Sequence, residues 1–157
     1  MQEQSVYSTI KTYLERKGIV FRTVHHEPTH TSEESAQARG EEIAIGGKAI
    51  VMKVDDVFRL FVISAANRID SQQIKKHFGA KKLRFASAEE LLQLTGLVPG
   101  SVPPFGKPIL PFELYVDTSI LHNTKIAFNA GSLTDSIIMQ REDYIRVADA
   151  EVFSFSA

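Results

Sequence analysis

The chain has 157 residues, a length that buries one hydrophobic core without disulfide or metal cross-links, so we expect a single domain over residues 1–157. It contains no cysteine, which excludes disulfides, thiolate metal clusters and a cysteine nucleophile, and this agrees with a reducing cytoplasm. A net charge of −1 excludes binding of nucleic acid by bulk attraction. The N-terminal sequence lacks the pattern of a cleaved leader, and no run approaches the roughly 20 apolar residues that span a bilayer, so we expect no membrane partner.

In chain order, the first third of the sequence predicts a helix, a strand, a second helix and a hairpin. Apolar residues at helical spacing followed by Gly18 delimit the first helix, and Thr31 or Ser32 caps the second. Asp55 and Asp56 join two apolar runs and predict the turn of the hairpin. The predicted segments are 4–17, 19–26, 32–40 and 48–64.

The rest of the sequence predicts two short helices around a strand, then three strands, a helix and a final strand. These segments are 69–79, 81–86, 87–96, 111–117, 125–131, 135–140, 141–149 and 151–157. Helices and strands alternate without a regular crossover rhythm, which favours an α+β fold over a doubly wound parallel fold. We expect a mixed, largely antiparallel sheet or an irregular barrel, with flanking helices.

The sequence lacks the common catalytic motifs, namely the phosphate-binding loop, the dinucleotide-binding glycines, H-E-x-x-H and G-x-S-x-G. His25, His26 and His30 lie close together, but neighbouring strand residues point to opposite faces and no fourth ligand is evident. We therefore predict neither a metal site nor a cofactor.

One loop, "TGLVPGSVPPFG" at 95–106, concentrates glycine and proline. Gly96 follows a predicted helix where a left-handed cap is needed, and Pro99 stiffens the chain before Gly100. Backbone N–H groups at Gly96 to Val98, or near Gly100, are candidates for stabilising an oxyanion. A purely structural turn is the alternative, since glycine and proline occur in loops generally.

Lys48 is a charged residue that opens an apolar strand, on the face that carries Ile50 and Met52. Its ammonium group either projects into a cleft or extends to solvent at the sheet edge. Asn67 and Asp117 each end an apolar run, and each is either a site residue or a turn former.

A basic segment runs from Arg68 to Arg84, with six Lys or Arg residues against one acid, Asp70. Such a segment is either a local site for a polyanion or a solvated helix face.

An ordered series of segments resembles the YbaK family of aminoacyl-tRNA deacylases, which is related to the editing domain inserted in bacterial prolyl-tRNA synthetases. The series covers about residues 21–147 and comprises "HHEPTHTSEESA", "GGKAIVMKV", "LFVISAANRID", "KKLRFASAEELLQLTGLVPGSVPPFG", "LYVDTSI" and "IAFNAGSLTDSIIM". We match the G-x-x-x-P loop of the family to Gly96-Leu97-Val98-Pro99, followed by "GSVPPFG".

The resemblance implies hydrolysis of the ester that joins a wrong amino acid to the terminal adenosine of tRNA. It implies that backbone donors of the loop hold the acyl carbonyl, that Lys48 contacts the terminal nucleotide, and that water attacks with help from the ribose hydroxyl of the substrate. No metal, cofactor or side-chain nucleophile is implied. The candidate catalytic residues are Lys48, Gly96, Leu97, Val98, Pro99 and Gly100; the candidate substrate-binding residues are His30, Ala49, Asn67, Gly131, Ser132 and Asp135; the candidate tRNA-binding residues are Lys75, Lys76, Lys81 and Lys82.

Two departures from the family leave the amino-acid preference open. Many relatives have threonine or asparagine where this chain has Ala49, and many have an aromatic residue near His30. We expect a free-standing, trans-acting deacylase for a small amino acid, with tRNA(Pro) as the preferred carrier; docking on a prolyl-tRNA synthetase is a further possible partnership. The alternative is a module that binds an acceptor end or an aminoacyl ligand without turnover.

Overall fold

The computed structural model describes residues 5–157 and contains five α-helices in that range. They are α1 (Val6–Arg16), α2 (Ser32–Arg39), α3 (Ser71–Phe78), α4 (Ala88–Thr95) and α5 (Arg141–Ala148). Side chains of Ser5, Thr31, Asp70 and Ser87 accept hydrogen bonds from the first turns of the first four helices. Gln4, with which the first predicted helix begins, lies outside the described residues. Over 5–157, each helix is too short or too polar to cross a bilayer.

Within residues 5–157, eight strands form two sheets. They are β1 (Phe21–His25), β2 (Gly47–Val54), β3 (Val57–Ser64), β4 (Leu83–Phe85), β5 (Leu114–Asp117), β6 (Lys125–Asn129), β7 (Asp135–Gln140) and β8 (Glu151–Phe153). One sheet has the order β1-β7-β6 and the other the order β4-β2-β3-β5-β8. The predicted α+β fold with largely antiparallel pairing is confirmed. The described strands form two open sheets, so the barrel alternative does not hold.

The larger sheet combines a hairpin with two parallel additions. β2 and β3 pair through the predicted turn, where Asp55 has a φ of 51°. β5 pairs parallel with β3, and β8 pairs parallel with β5. The side chain of Asp117, at the end of β5, is fully buried and accepts from the amides of Ser119 and Phe155. Asp117 therefore anchors the C-terminal segment and is a turn former.

Alternating residues of β2 face two hydrophobic clusters. Val51 lies in the larger cluster, which fills the space between the two sheets, α1 and α5. Met52 lies in a smaller cluster that includes Ile74 of α3. Lys48 shares the face of Met52, and Ala49 packs against the larger cluster with Val51.

The two sheets approach most closely where β2 begins. Gly46 forms a parallel bridge with Ala127 of β6. A Cβ atom on Gly47 would lie 2.7 Å from the side chain of Ile126, so a larger residue would push the sheets apart. This junction sets the floor of the cleft described next.

Candidate active site

A cleft of about 280 Å³ opens at the start of β2. One wall is α2 with the segment before it, and the cleft is also lined by Pro99, Gly100 and Val102 of the glycine loop and by Asn129 of β6. Because these four parts are far apart in sequence, the contact between the two sheets is what assembles them.

The α2 wall is lined by hydroxyl groups. Thr29, Thr31, Ser32 and Ser35 all border the cleft. Thr29 and Ser35 are buried, and their hydroxyl oxygens lie 2.8 Å apart. The hydroxyl of Thr31 accepts from the amide of Glu34 at the start of α2. This wall can therefore hydrogen-bond a small polar group.

Lys48 lies at the cleft with an exposed side chain. Among residues 5–157, no carboxylate forms a salt bridge with it. Its charge is therefore available to an anionic ligand.

Arg39 is a second cation at the cleft, and it is only 8% exposed. Its Nε donates to Ser136 Oγ at 3.0 Å, and its Nη2 donates to Asn129 Oδ1 at 3.1 Å. No carboxylate of the described part of the chain pairs with it. Burial lowers the pKa of Arg39 to about 10, so the guanidinium remains charged at neutral pH.

The first part of the glycine loop is turned away from the cleft. Gly96 caps α4 with a φ of 74°, as predicted, but its amide donates to Leu92 O at 2.8 Å. The amides of Leu97 and Val98 donate to the hydroxyls of Thr95 and Ser101. Leu97 is also buried in the larger cluster. These three amides are already engaged, so the expectation that they hold an oxyanion disagrees with the geometry.

The second part of the loop faces the cleft. Pro99, Gly100 and Val102 line it, and Gly100 has a φ of 88°. Within residues 5–157, neither Gly100 N–H nor Val102 N–H has a hydrogen-bond acceptor. The spacing of the motif also differs from our match, because a G-x-x-x-P pattern fits Gly100 and Pro104, whereas Pro99 follows Gly96 by only three positions.

The remaining predicted substrate-binding residues divide into two groups. His30 and Ala49 line the cleft. Asn67, Gly131, Ser132 and Asp135 are not among its lining residues. The amide of Asn67 donates to Ser64 O in the turn after β3.

Of the other three residues, Gly131 and Ser132 lie in the turn between β6 and β7, and Asp135 is the first residue of β7. Gly131 donates its amide to Ser101 O and packs so closely on α1 that a Cβ atom would lie 2.7 Å from Val6. Asp135 accepts from Ser132 and lies 2.8 Å from His25 Nδ1. Burial would raise the pKa of Asp135, but these hydrogen bonds outweigh it and the pKa is lowered. The turn thus supports the glycine loop from outside the cleft.

The basic segment keeps most of its charge exposed. Lys76, Lys81 and Lys82 are exposed, Lys75 is half-buried, and none of the four forms a salt bridge with a described residue. Arg84, the last residue of the segment, forms an ion pair with Glu90 of α4 and donates to both of its carboxylate oxygens. The hydrogen bonds from Arg84 and from the Ser87 amide lower the pKa of Glu90 to about 2.

Known proteins resemble this chain over most of its length. A family model described as an aminoacyl-tRNA editing domain matches residues 26–147. The chain is 35% identical over 148 residues to a protein of Escherichia coli strain K12 described as the multifunctional Ser/Thr-tRNA deacylase ProXp-y, covering 90% of this chain and 87% of the relative. It is 36% identical over 100 residues to the proline–tRNA ligase of Shouchella clausii, covering 64% of this chain and only 17% of the ligase.

Solved structures share the whole fold. A protein described as a candidate trans-editing enzyme for prolyl-tRNA synthetase superposes with a TM-score of 0.85 at 26% identity, over 99% of both chains.

Proposed function

The chain belongs to the family of aminoacyl-tRNA editing domains, and from this premise we propose that it is a trans-acting deacylase that hydrolyses the ester of a mischarged tRNA. The observation that carries the proposal is the position of Lys48 in one cleft with the unpaired amide of Gly100. A cation suits the phosphate or ribose of a terminal nucleotide, and a rigid amide suits the oxyanion of an ester under attack.

The chemistry needs no nucleophile from the protein. Water adds to the ester carbonyl. The neighbouring free hydroxyl of the terminal ribose accepts a proton from this water and passes a proton on to the departing ribose oxygen. The bond from the carbonyl carbon to the ribose oxygen then breaks, and that oxygen is protonated. The products are a free amino acid and an uncharged tRNA. In this scheme the amides of Gly100 and Val102 bind the carbonyl oxygen as it becomes negative.

We further propose serine or threonine as the amino acid that is removed. The relative in Escherichia coli is described as acting on these two residues. In this chain the hydroxyl wall around Thr29 and Ser35 offers hydrogen bonds to a hydroxylated side chain. The cleft of about 280 Å³ suits a small acyl group. For the carrier we propose tRNA(Pro) first, because prolyl-tRNA ligases contain a related segment.

The basic segment lies where it could contact the phosphates of a bound tRNA. Ile74 packs α3 against the sheet face on which Lys48 lies, so Lys75 and Lys76 are carried on the same side of the larger sheet as Lys48. Lys81 and Lys82 follow directly after α3. We propose that these lysines contact phosphates of the acceptor stem, while the terminal adenosine enters the cleft. A synthetase partner would bind elsewhere on the tRNA.

The first experiment measures the release of serine, threonine, alanine or proline from tRNA(Pro) charged with each of them. The same release is measured when each amino acid is carried by its own cognate tRNA. We compare the wild-type protein with Lys48→Ala and with Lys53→Ala, a matched control on the opposite face of β2. Losing one charge-assisted contact costs about 2 kcal/mol, so Lys48→Ala should slow hydrolysis by tens-fold while Lys53→Ala changes it little.

Each other outcome contradicts part of the proposal. Full activity of a folded Lys48→Ala variant would remove that lysine from the site. Saturable binding of these tRNAs without any hydrolysis would favour the non-catalytic binding module.

A further inference from the structure

Arg39 is buried at the cleft and has no carboxylate partner among the described residues. Burying an unpaired guanidinium has a large desolvation free energy, so a buried guanidinium of this kind is a candidate for a functional role. We propose that Arg39 is a positioning residue for the glycine loop and that it acts through Asn129. This inference rests on the proposed function for its kinetic consequence, although its structural consequence can be tested separately.

The contacts form a short relay from α2 to the loop. Arg39 Nη2 donates to Asn129 Oδ1 at 3.1 Å, and Asn129 Nδ2 donates to Gly100 O at 2.7 Å. Ser136 Oγ lies 3.2 Å from the same Oδ1 atom and accepts from Arg39 Nε. The side-chain amide of Asn129 is thus held at both ends.

The orientation of the Asn129 side-chain amide is selected by its partners at both ends, Arg39 at the oxygen and the Gly100 carbonyl at the NH₂ group. An asparagine amide has nearly the same shape when it is rotated by 180°, so only its hydrogen-bond partners select the orientation. A guanidinium has donors and no acceptor, and therefore the amide end that faces Arg39 must be the oxygen. The NH₂ group is then directed at the Gly100 carbonyl.

The hydrogen bond to the Gly100 carbonyl also restricts the N–H group of the same residue. Gly100 has a φ of 88°, a conformation that needs glycine and that an unanchored glycine leaves easily. The next carbonyl along, Ser101 O, is held by the amide of Gly131. These two bonds from the end of β6 and the following turn fix the loop segment that carries the Gly100 N–H at the cleft before substrate arrives.

The test uses two substitutions that alter the relay at different points. Arg39→Gln has an acceptor as well as donors, so it no longer enforces the orientation of Asn129. Asn129→Asp keeps an oxygen that faces Arg39, replaces the donor to Gly100 O by an acceptor, and adds a negative charge that pairs with the Arg39 guanidinium. Arg22→Gln is the charge-matched control, because Arg22 is an exposed arginine that contacts Glu41 and the carbonyl of Arg39.

We expect Arg39→Gln and Asn129→Asp to lower kcat for the mischarged tRNA by on the order of tenfold to a hundredfold, with KM changed less than about threefold. Arg39→Lys should recover part of the loss, because lysine also has donors only. Arg22→Gln should stay near wild type. A kcat within twofold of wild type for both relay variants would overturn the inference, as would a loss confined to KM.

A second readout does not depend on turnover. Amide NMR of the ligand-free protein should show shifted resonances and faster hydrogen exchange for residues 100 and 101 in Asn129→Asp, while the thermal midpoint stays within a few degrees of wild type. Unchanged loop resonances would overturn the inference even if the wild-type protein hydrolysed every ester tested. If the wild-type protein hydrolyses none, the proposed function fails and the resonances alone decide whether the relay exists.

Discussion

The hydroxyl oxygens of Thr29 and Ser35 lie 2.8 Å apart in the wall of the cleft, and both residues are buried. Each hydroxyl therefore satisfies the other when no ligand is present, and each retains lone pairs or a proton for a ligand. A pair of this kind can tell a hydroxylated acyl group from an apolar one of similar size.

Replacing Thr29 by valine should change the amino-acid preference. Thr29→Val keeps the shape of the side chain but removes the hydroxyl, which leaves Ser35 without its partner. We expect the ratio of kcat/KM for serine over alanine esters to fall about tenfold. The measurement is a competition between tRNAs charged with each amino acid. Thr23→Val, at an exposed position of β1, is the control, and an unchanged ratio in Thr29→Val would remove the hydroxyl pair from the specificity site.

Two glycines of the loop, Gly96 and Gly100, should differ in their effect on activity. Gly96 and Gly100 have φ values of 74° and 88°, so alanine at either position costs about 1 kcal/mol of stability through the left-handed conformation. A Cβ atom meets nothing within 4 Å at Gly96 and only Leu133 at 3.5 Å at Gly100, so neither substitution creates a severe clash.

Only Gly100→Ala should also lower hydrolysis, because Gly100 alone of the two lines the cleft. Urea denaturation and single-turnover kinetics on both variants make the comparison. Equal activity losses would assign the effect to backbone strain, and a larger loss in Gly96→Ala would restore the match of the motif to Gly96.

The basic segment should determine how tRNA binding depends on salt. Lys76, Lys81 and Lys82 are exposed and unpaired with described carboxylates, so each can neutralise one phosphate. Changing all three to glutamine should flatten the slope of log K against log salt by roughly 2 to 3.

The matched control changes Lys11, Arg16 and Lys17 of the α1 region to glutamine, which removes the same charge. Binding is measured by filter retention at several salt concentrations. Equal slopes in the two triple variants would mean that the segment is a solvated helix face.

Asp117 should make the protein sensitive to acid. Burial would raise its pKa, but the hydrogen bonds from Ser119 and Phe155 outweigh burial and lower it in the folded state. A carboxylate with a lowered folded-state pKa stabilises the fold above its ordinary pKa, near 3.9, and this contribution is lost as pH falls below that value. The wild-type free energy of unfolding should therefore decrease from about pH 5 to pH 3.

Asp117→Asn should be less stable at pH 7 by about 1–3 kcal/mol, because an amide has one acceptor for two backbone donors. Its stability should change less with pH over the same range. Asp56→Asn, in the exposed β2–β3 turn, should keep the wild-type pH dependence. A steep acid transition that persists in Asp117→Asn would assign the sensitivity to other carboxylates.

Local signals in the sequence were sufficient for nearly every element of the fold. The capping box of Ser87 and Glu90 and the glycine after α4 defined that helix on both sides. The parallel pairing of β5 with β3 and with β8 could not be predicted, because strand order depends on how the apolar faces pack in three dimensions. The short 3₁₀ helices Ile43–Ile45 and Thr118–His122 were also missed, since three to five residues carry little periodicity.

The site was predicted in part. The position of Lys48 followed from a charge at the start of an apolar strand, and the structure places it in the cleft. Arg39 was missed, because a basic residue in the last turn of a helix is normally explained by the helix dipole. Asn129 was not singled out either, because it lies inside the predicted strand 125–131 and no motif marks it. The motif was matched to Gly96, whereas Gly100, four positions on, lines the cleft, and only the hydrogen bonds of their amides distinguish the two glycines.

The pairing of β1 with β7 bears on how this protein is made. His25 and Asp135 are register partners that lie 110 positions apart, and the α2 wall of the cleft follows directly after β1. During translation, β1 leaves the ribosome long before its partner strand exists, and closing so long a loop is slow. We expect the nascent chain to lack an editing cleft until β7 has emerged, so that catalytic competence arises only after Asp135–Gln140 has been translated.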